Sequence, residues 1–509
     1  MNFELRIPAW QLSNDEDLSK LIKKKLNLNE EYIQIEKKSL DARTKEIAWV
    51  VKGSVHQSQP HESLTPFFRN VLSSKEIFII GSGPAGLFAA LECIRLGYKP
   101  IILGRGKDVR RRRRDIARLT REHTVNPHSN YCFGEGGAGT FSDGKLYTRS
   151  TKRGDVSYCL KMFVAFGAPN NILYESRPHI GTNKLPGIIE QIRKFITSCG
   201  GHVIFDTHLT GLEVRNGRLN TLITSTGIFK TDKAILATGH SASDVYELMF
   251  EAGFSLEHKP YAIGFRIEHP QPLVDQWQYK CIHRPDYLPP AYYNISFQVK
   301  EQGVYSFCMC PGGIIAPCAT HPGEVVTNGW SPSRRNNLLA NAGFVTEVKI
   351  DDWKTLVHDI WHPLAGLKYR QKIEQKACKM AGNRQLAPAQ RASDFLSNTL
   401  SSSLPSCSYL PGITSVNLNE LFPFDVCEKL KWGLRMAEKR MPGFASSEAL
   451  LVAPETRTSA PLRIPRNKLS LQHPEIEGLF PCGEGSGYAG GIISAAIDGI
   501  NCARQACKN

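Results

Sequence analysis

Glycines at positions 81, 83 and 86 have the Gly-x-Gly-x-x-Gly spacing that holds the pyrophosphate of a dinucleotide. The cluster follows an apolar run and consists of Gly81, Ser82, Gly83, Pro84, Ala85 and Gly86. Gly81 permits the tight turn, Gly83 lets the backbone approach the pyrophosphate, and Gly86 lets the helix pack closely on the strand. The following helix start offers N–H groups and a positive dipole end to phosphate.

A second glycine cluster lies almost four hundred residues further on. Its predicted site residues are Gly483, Glu484, Gly490, Gly491 and Ile492. We expect Gly483 and Glu484 to meet the ribityl chain of a flavin. Residues 489–492 should open the last helix and turn N–H groups toward flavin N1 and O2. The two clusters indicate FAD rather than NAD, because Pro84 and Ala85, between the second and third glycines of the first cluster, are more typical of flavoproteins.

A third glycine-rich segment runs from Ser129 to Lys145. Because glycines allow a backbone to approach a flat ligand, we expect it beside the pyrophosphate and the isoalloxazine ring. The residues predicted to line the site there are Gly136, Gly137, Gly139 and Thr140. A tight loop with a purely structural role is the alternative. Thr238 and Gly239, which end the apolar run 234–237, are predicted to join the same site.

One residue expected in a dinucleotide site is missing. An acidic side chain normally ends the second strand, about 20 residues after the first glycines, and binds the ribose hydroxyls. Gly104 occupies that position. Loss of a charge-assisted hydrogen bond would cost about 1.5–3 kcal/mol of binding. Arg105 remains available to lie against the adenine or a phosphate.

The basic residues permit a nucleic-acid partner without demanding one. Lysine and arginine total 63 against 48 acidic residues, a formal net charge of +15. Arg110 to Arg114 form an unbroken arginine run, and Lys23 to Lys25 lie on a predicted helix. We favour solvated helix faces for both, because a helix distributes five consecutive residues around more than one face. Cofactor phosphates, an anionic substrate and RNA are the functional alternatives for the arginine run.

The cysteines and two later arginines leave alternatives open. None of the 14 cysteines forms a Cys-x-x-Cys motif, so no metal site is predicted. Cys308 and Cys310 form a Cys-x-Cys pair that is interpreted as structural, although a thiol on the flavin would be a redox partner. Arg457 and Arg463 would bind an anionic substrate or pair with acidic side chains. No residue stands in a motif that assigns a catalytic acid or base.

The pattern of strands and helices predicts the elements that position these residues. The chain has 509 residues, 41% of them hydrophobic, enough for two or three domains. We predict an α/β fold: a three-layer, Rossmann-type FAD-binding domain with a parallel sheet and a β-meander, an inserted mixed α+β substrate domain, and a small N-terminal α+β module. The predicted boundaries are 1–70 for the module and linker, 75–254 and 451–509 for the FAD-binding domain, and 255–450 for the insertion.

Four segments together resemble one known family. They are Asn130 to Lys145, Phe307 to Gly313, Glu455 to Pro461 and Gly483 to Gly499. They are similar to the bacterial family of uncharacterised FAD-dependent dehydrogenases, NAD(P)/FAD-dependent oxidoreductases with a flavin fold like that of glutathione reductase. The resemblance covers nearly the whole chain and implies an N-terminal module ahead of the flavin fold. Gly104 departs from the glutamate usual in that family.

The leading hypothesis is an FAD-dependent oxidoreductase that passes a hydride between a small-molecule substrate, or NAD(P)H, and flavin N5. An RNA-binding or RNA-modifying flavoprotein is the second hypothesis, resting on the positive charge. A degenerate flavin fold that only binds is the third, resting on Gly104. Neither a signal-peptide layout nor an apolar stretch of about 20 residues is present, so a cytoplasmic protein without a membrane span is expected.

Overall fold

The computed structural model describes residues 1–12, 15–29, 31–58, 68–148, 151–299 and 301–508. The middle of the predicted linker, residues 59–67, lies outside the described residues. Within the described ranges, no helix combines the length and the hydrophobicity needed to cross a bilayer.

The N-terminal module is a helix packed on a small antiparallel sheet. Its elements are β1 (Asn2–Pro8), α1 (Asp15–Leu26), β2 (Tyr32–Asp41) and β3 (Ala48–His56). The strand order is β1-β3-β2. Leu18 and Ile22 of α1 are fully buried with Ile7 and Val51 of the sheet, as expected from the helical spacing of the apolar residues. The element order β-α-β-β makes the module a small α+β unit, as predicted.

The module is joined to the rest of the chain by backbone hydrogen bonds as well as by side chains. The Lys38 N–H donates to the Tyr174 carbonyl (2.7 Å), and the Ser176 N–H donates to the Lys38 carbonyl (2.9 Å). Leu288, from a distant loop, is buried in the module's own hydrophobic core. The module is thus docked on the larger body.

The dinucleotide-binding unit begins with alternating strands and helices. Its first elements are β4 (Glu76–Ile80), α2 (Pro84–Arg95), β5 (Lys99–Leu103), α3 (Val109–Glu122), α4 (Val156–Ala165), α5 (Leu185–Ser198), β6 (His202–Ile204), β7 (Leu209–Arg215), β8 (Arg218–Thr224), β9 (Gly227–Lys230), β10 (Ala234–Leu236) and α6 (Ser243–Glu251). Strands β7, β8 and β9 form the predicted antiparallel meander. Short 3-10 turns occur at Ala9–Gln11, Gly137–Gly139, Thr151–Arg153 and Asn170–Leu173.

A second, larger sheet follows. The elements of this region are β11 (Glu257–His258), β12 (Tyr261–Pro270), α7 (Gln271–Tyr279), β13 (Ser296–Val299), β14 (Gln302–Cys310), β15 (Ile314–Pro317), β16 (Thr327–Trp330), β17 (Leu339–Val348), α8 (Ile350–Trp353), α9 (Ala365–Met380), β18 (Ala387–Arg391), α10 (Ala392–Ser397), β19 (Ile413–Ser415), α11 (Leu418–Leu421), α12 (Phe424–Arg440), β20 (Leu450–Glu455) and β21 (Leu462–Arg463). The seven-stranded sheet has the order β13-β14-β17-β12-β20-β18-β19. The sheet is mixed, because β18 and β19 are parallel while the other pairs are antiparallel. Strand β20 extends the sheet past residue 450, the predicted end of the insertion.

The chain then returns to the first sheet through β22 (Leu479–Pro481) and α13 (Ile492–Ala506). The five strands β22-β10-β4-β5-β6 are parallel, and their apolar residues are buried on both faces. Helices α2 and α13 cross closely, because a Cβ on Gly499 would stand 2.0 Å from the Ala85 carbonyl oxygen. The prediction that residues 489–491 already belong to the last helix is wrong. The extended backbone of Gly491 delays the helix to Ile492.

Candidate functional site

The glycine clusters meet in one cavity of about 250 Å³ at the carboxyl ends of β4, β10 and β22. One wall comes from the parallel sheet and the other from the seven-stranded sheet. A second cavity, of about 820 Å³, lies between the N-terminal module and residues 171–179 and 289–292. Although the second cavity is larger, the first is the candidate site, because ligands of open α/β sheets bind outside the carboxyl ends of the strands.

The turn between β4 and α2 is held tightly by its glycines. Gly81 has a φ of +114°, and a Cβ there would lie 2.2 Å from the Ala237 carbonyl oxygen. A Cβ on Gly86 would lie 1.9 Å from the Gly81 carbonyl oxygen. Among the described residues, no side chain caps α2 at Gly83, so the N–H groups of the first helical turn remain directed at the cavity.

Four glycines around the cavity leave room where a side chain would stand. A Cβ on Gly83 would have its nearest neighbour at 3.8 Å, and a Cβ on Gly239, Gly490 or Gly491 would meet no atom within 4 Å. The cavity wall is therefore bare backbone, with a positive helix end on one side. That combination fits a flat, pyrophosphate-bearing ligand.

The start of α13 supplies a second helix N-terminus to the same cavity. Asp498 of this helix accepts the Gly483 N–H (2.7 Å) and pairs with Arg466 (2.6 Å). Cys482, Asp498 and Cys502 are close enough to share a metal ion. The Asp498 carboxylate is already neutralised by Arg466, so we interpret the cluster as a support that fixes Gly483.

Most of the sequence-predicted residues line this cavity. They are Gly81, Ser82, Gly83, Pro84, Ala85, Arg105, Gly137, Gly139, Thr238, Gly239, Gly483, Glu484, Gly490, Gly491 and Ile492. Gly86, Gly136 and Thr140 lie behind the wall. Thr140 is buried and donates to the Glu135 carbonyl (2.7 Å), and a Cβ on Gly136 would meet its hydroxyl at 2.0 Å. These three residues shape the loops that carry the lining.

Arg105 lies on the cavity wall just beyond the end of β5. Its guanidinium pairs with Asp244 and stands 4.5 Å from the centre of the Phe133 ring. The neighbouring Gly104 has limited space: a Cβ would lie 3.3 Å from the Ser82 Oγ and 3.4 Å from the Phe205 ring. A side chain there requires only a small shift of Ser82, whose hydroxyl can rotate.

We expect Gly104→Glu to tighten FAD binding, because a carboxylate at the end of β5 restores the ribose contact. The gain corresponds to about 1.5–3 kcal/mol of binding free energy. Fluorescence titration of FAD-free protein measures it. Gly104→Gln is the control that fills the same space without the charge. Equal FAD affinity of the glutamate variant and the wild type would show that the absence of an acidic side chain at position 104 does not weaken FAD binding.

The second wall contains lining residues beyond the predicted site residues. They are Phe307 and Cys308 of β14, Asn328 and Gly329 of β16, and Thr458, which follows β20. Beneath them lies Arg266, fully buried, which donates to the Cys308 carbonyl (3.0 Å), the Asn328 Oδ1 (2.8 Å) and Glu455 (2.7 Å). Two signals in the sequence pointed to this wall: the resemblance of residues 307–313 and 455–461 to a flavoprotein family, and the alternative that a thiol of the Cys308–Cys310 pair lies on the flavin.

Arg457 is a structural residue, although it borders the cavity. Its guanidinium donates to both oxygens of Glu374 (3.1 and 2.7 Å), to Glu324 (3.0 Å) and to Thr320 (2.8 Å). These partners are buried. Of the two alternatives left open by the sequence, the structure favours pairing with acidic side chains over binding an anionic substrate.

Arg463, the other arginine of that pair, is half exposed. It lies 3.6 Å from Glu257 and 5.4 Å from the centre of the Tyr488 ring. Acidic pairing is observed here too, but at the surface.

The arginine run is divided between the interior and the surface. Arg112 is fully buried and donates to the carbonyls of Asn130, Glu135 and Tyr131 at 2.8–2.9 Å. Arg110 pairs with Glu190, and Arg111 with Asp206. The run opens α3, as predicted, but its central residue holds the glycine-rich loop rather than facing solvent.

A charged cluster lies where the glycine-rich loop meets the second sheet. Asp143 is buried and pairs with Arg335 (3.0 Å) and Lys145 (3.4 Å). Burial acts to raise the pKa of Asp143, but Lys145 and Arg335 outweigh it and lower that pKa to about 2. The cluster therefore fastens the loop to the second sheet through an ionised carboxylate.

Replacement of this carboxylate by Asp143→Asn should lower the free energy of unfolding by about 2 kcal/mol at pH 7. The pKa of Asp143 is depressed in the folded state, so its contribution is present above about pH 4 and is lost as the pH falls through about 2. By pH 3 the difference should shrink to about half. Urea unfolding at both pH values measures it, with Asn at the exposed Asp286 as control. A difference that does not depend on pH would contradict the ion-pair explanation.

A parallel sheet with a backbone-lined cavity at its carboxyl edge defines a Rossmann-type dinucleotide-binding protein. Residues 260–458 match a family described as "FAD-dependent protein, C-terminal domain-like", and residues 2–56 match a domain of unknown function. An uncharacterized protein of Clostridium beijerinckii is 39% identical over 98% of both chains. The chain belongs to the family of that protein, a family of FAD-dependent proteins, and FAD is its cofactor.

Two solved structures show the chain's similarity to other proteins at low identity. L-proline dehydrogenase from P. horikoshii matches at 11% identity and a TM-score of 0.33, over 85% of this chain and 92% of that one. Glycine oxidase from Bacillus cereus matches at 12% identity and a TM-score of 0.31, over 84% and 94%. The assignment to the family rests on the sequence relationships and not on these scores.

Proposed function

We propose that the chain is an FAD-dependent oxidoreductase, a dehydrogenase whose substrate meets the flavin between the two sheets. The observation that carries the proposal is the cavity at the strand ends, where bare glycine backbone and the starts of α2 and α13 face a wall from the seven-stranded sheet. A dinucleotide bound by the glycine-lined wall would therefore place its reactive ring against the opposite wall.

The roles of the chain's residues follow from where they lie. The N–H groups at the start of α2 bind the pyrophosphate, and Arg105 covers the adenosine end. The start of α13 directs a positive dipole end at the ring and stabilises negative charge there. When bound, FAD supplies a two-electron acceptor that takes a hydride at N5 from a small-molecule substrate or from NAD(P)H.

The second wall determines what reaches the ring. Phe307 and Asn328 bring an aromatic side chain and an amide to the cavity, whereas the hydroxyl of the neighbouring Thr458 is bonded to the Ala262 backbone. Arg266 holds the Asn328 side chain in position through the 2.8 Å hydrogen bond to its Oδ1. A small polar substrate suits such a lining, since few polar groups on a largely apolar wall fix orientation.

We expect purified protein to bind FAD and to show the visible absorbance of oxidised flavin. Anaerobic addition of NADH, NADPH and a panel of small metabolites should bleach that absorbance with one of them. The compound that bleaches the flavin identifies the electron donor. Protein that stays colourless after incubation with FAD would refute the proposed function.

A further inference from the structure

Two thiols and one ammonium group meet beside the flavin cavity. The Lys145 Nζ lies 3.3 Å from the Cys308 Sγ and 3.6 Å from the Cys310 Sγ. Cys308 lines the cavity and is partly exposed, whereas Cys310 is fully buried. Cys308 therefore borders the cavity, and Cys310 lies in the interior close to it.

The backbone at this pair departs from a regular strand. In a regular strand, residues two apart have Cα atoms about 6.8 Å apart, at the upper end of what a disulfide spans. Here Phe307 pairs with Gly343 and Cys310 with Asn341, so β14 takes three steps where β17 takes two. Cys308 adopts a left-handed φ of +45°. At this bulge the Cys310 Sγ lies 3.3 Å from the Cys308 carbonyl oxygen. Left-handed conformations in residues other than glycine cluster at functional sites.

The surroundings favour a single negative charge on the pair. The Cys310 thiol donates to the Cys308 carbonyl (3.3 Å). The neighbouring Cys310 thiol, with Lys145 and Arg266, lowers the pKa of Cys308 well below its usual value. Cys308 in turn raises the pKa of Cys310. Burial acts to lower the pKa of Lys145, but the two sulfurs and Asp143 raise it. The two opposite shifts therefore favour a thiolate on Cys308 rather than on Cys310, beside the Lys145 ammonium group.

We propose that Cys308 and Cys310 form a redox-active dithiol that exchanges an electron pair with the bound flavin. The inference rests on the proposed function, since it requires FAD in the cavity. In the oxidising direction, the Cys308 thiolate and the Cys310 thiol lose two electrons and one proton as an S–S bond forms between them. The flavin takes up both electrons and that proton, so the step balances.

The dithiol defines the class of compound that the site would take. A partly exposed thiolate attacks a disulfide sulfur, and a second thiol behind it resolves the mixed disulfide. Cys308 and Cys310 have those two positions. A disulfide compound that enters the cavity would therefore be reduced to two thiols, and the protein pair would become the disulfide that the reduced flavin reopens.

An anaerobic dithionite titration of the FAD-loaded protein tests the proposal. The wild type should take up about four electrons per flavin, two for the ring and two for the disulfide. Cys308→Ser and Cys310→Ser should take up about half as many. Cys281→Ser is the matched control, because Cys281 is also partly exposed but lies away from the cavity. It should behave as the wild type.

A second measurement needs no cofactor. In FAD-free protein reduced beforehand, iodoacetamide should alkylate Cys308 at least about tenfold faster than Cys281 at neutral pH, because the thiolate is the nucleophile. Lys145→Met should remove most of that advantage. Mass spectrometry after each interval identifies the labelled cysteine.

The outcomes separate the two proposals. A protein that binds no FAD overturns both of them. A protein that binds FAD, takes up only two electrons and labels Cys308 no faster than Cys281 overturns the dithiol proposal alone. Alkylation of the wild type decides the matter even if a variant fails to fold.

Discussion

Gly83→Ala is expected to abolish most FAD binding while the protein keeps its fold. A Cβ at this position would meet only Gly137, at 3.8 Å, so the FAD-free structure accommodates it. The methyl group would instead occupy the space through which the pyrophosphate approaches the backbone. We expect the affinity for FAD to fall at least about tenfold, equivalent to about 1.4 kcal/mol. Fluorescence titration measures the affinity, and thermal unfolding of the FAD-free protein checks the fold.

The matched control for this prediction is Gly187→Ala. Gly187 lies exposed in α5, and a Cβ there would also meet no atom within 4 Å. Alanine should stabilise that helix slightly and leave FAD binding unchanged. If Gly83→Ala binds FAD as tightly as the wild type, the pyrophosphate lies elsewhere and the site must be reassigned.

Arg457→Met is expected to destabilise the protein strongly. The change leaves the buried carboxylates of Glu374 and Glu324 without their main partner. Breaking a buried ion pair in this way costs about 3–5 kcal/mol. Urea unfolding of the FAD-free protein measures the loss, so that changes in cofactor binding do not contribute.

Arg463→Met is the comparison, since its ion pair with Glu257 is half exposed and 3.6 Å long. A surface pair of this kind contributes less than about 1 kcal/mol. If the two arginine variants lose similar stability, then the buried network is not what holds the second sheet at the cavity.

The sequence predicts the side of the site that is built by local rules. Glycines between a buried strand and a helix commonly form the tight turn of a dinucleotide-binding motif. Gly81, Gly83 and Gly86 could therefore be assigned to such a turn from the sequence alone. The return of the chain at Gly483 and Gly490 was found in the same way. In each case the residues that matter are neighbours in sequence.

The opposite side of the site depends on contacts between distant segments. Lys145 and Cys308 are 163 residues apart in the chain and 3.3 Å apart in space. The bulge at Cys308 arises from its register with β17, which no local pattern encodes. Arg112 was expected on a solvated helix face with the rest of the arginine run, but the loop of residues 130–135 covers it and accepts its hydrogen bonds.

The N-terminal module also forms one wall of the 820 Å³ cavity. Arg6, Leu40 and Trp49 face Arg177 and Tyr292 across it. These module residues lie on strands that contribute nothing to the nucleotide cradle. Substitutions in β1 and β3 can therefore change the volume or the charge of the 820 Å³ cavity while the FAD-binding fold is unchanged. Among the described residues none lines both cavities, so the side chains of the module set the shape and charge of the larger cavity without entering the smaller one.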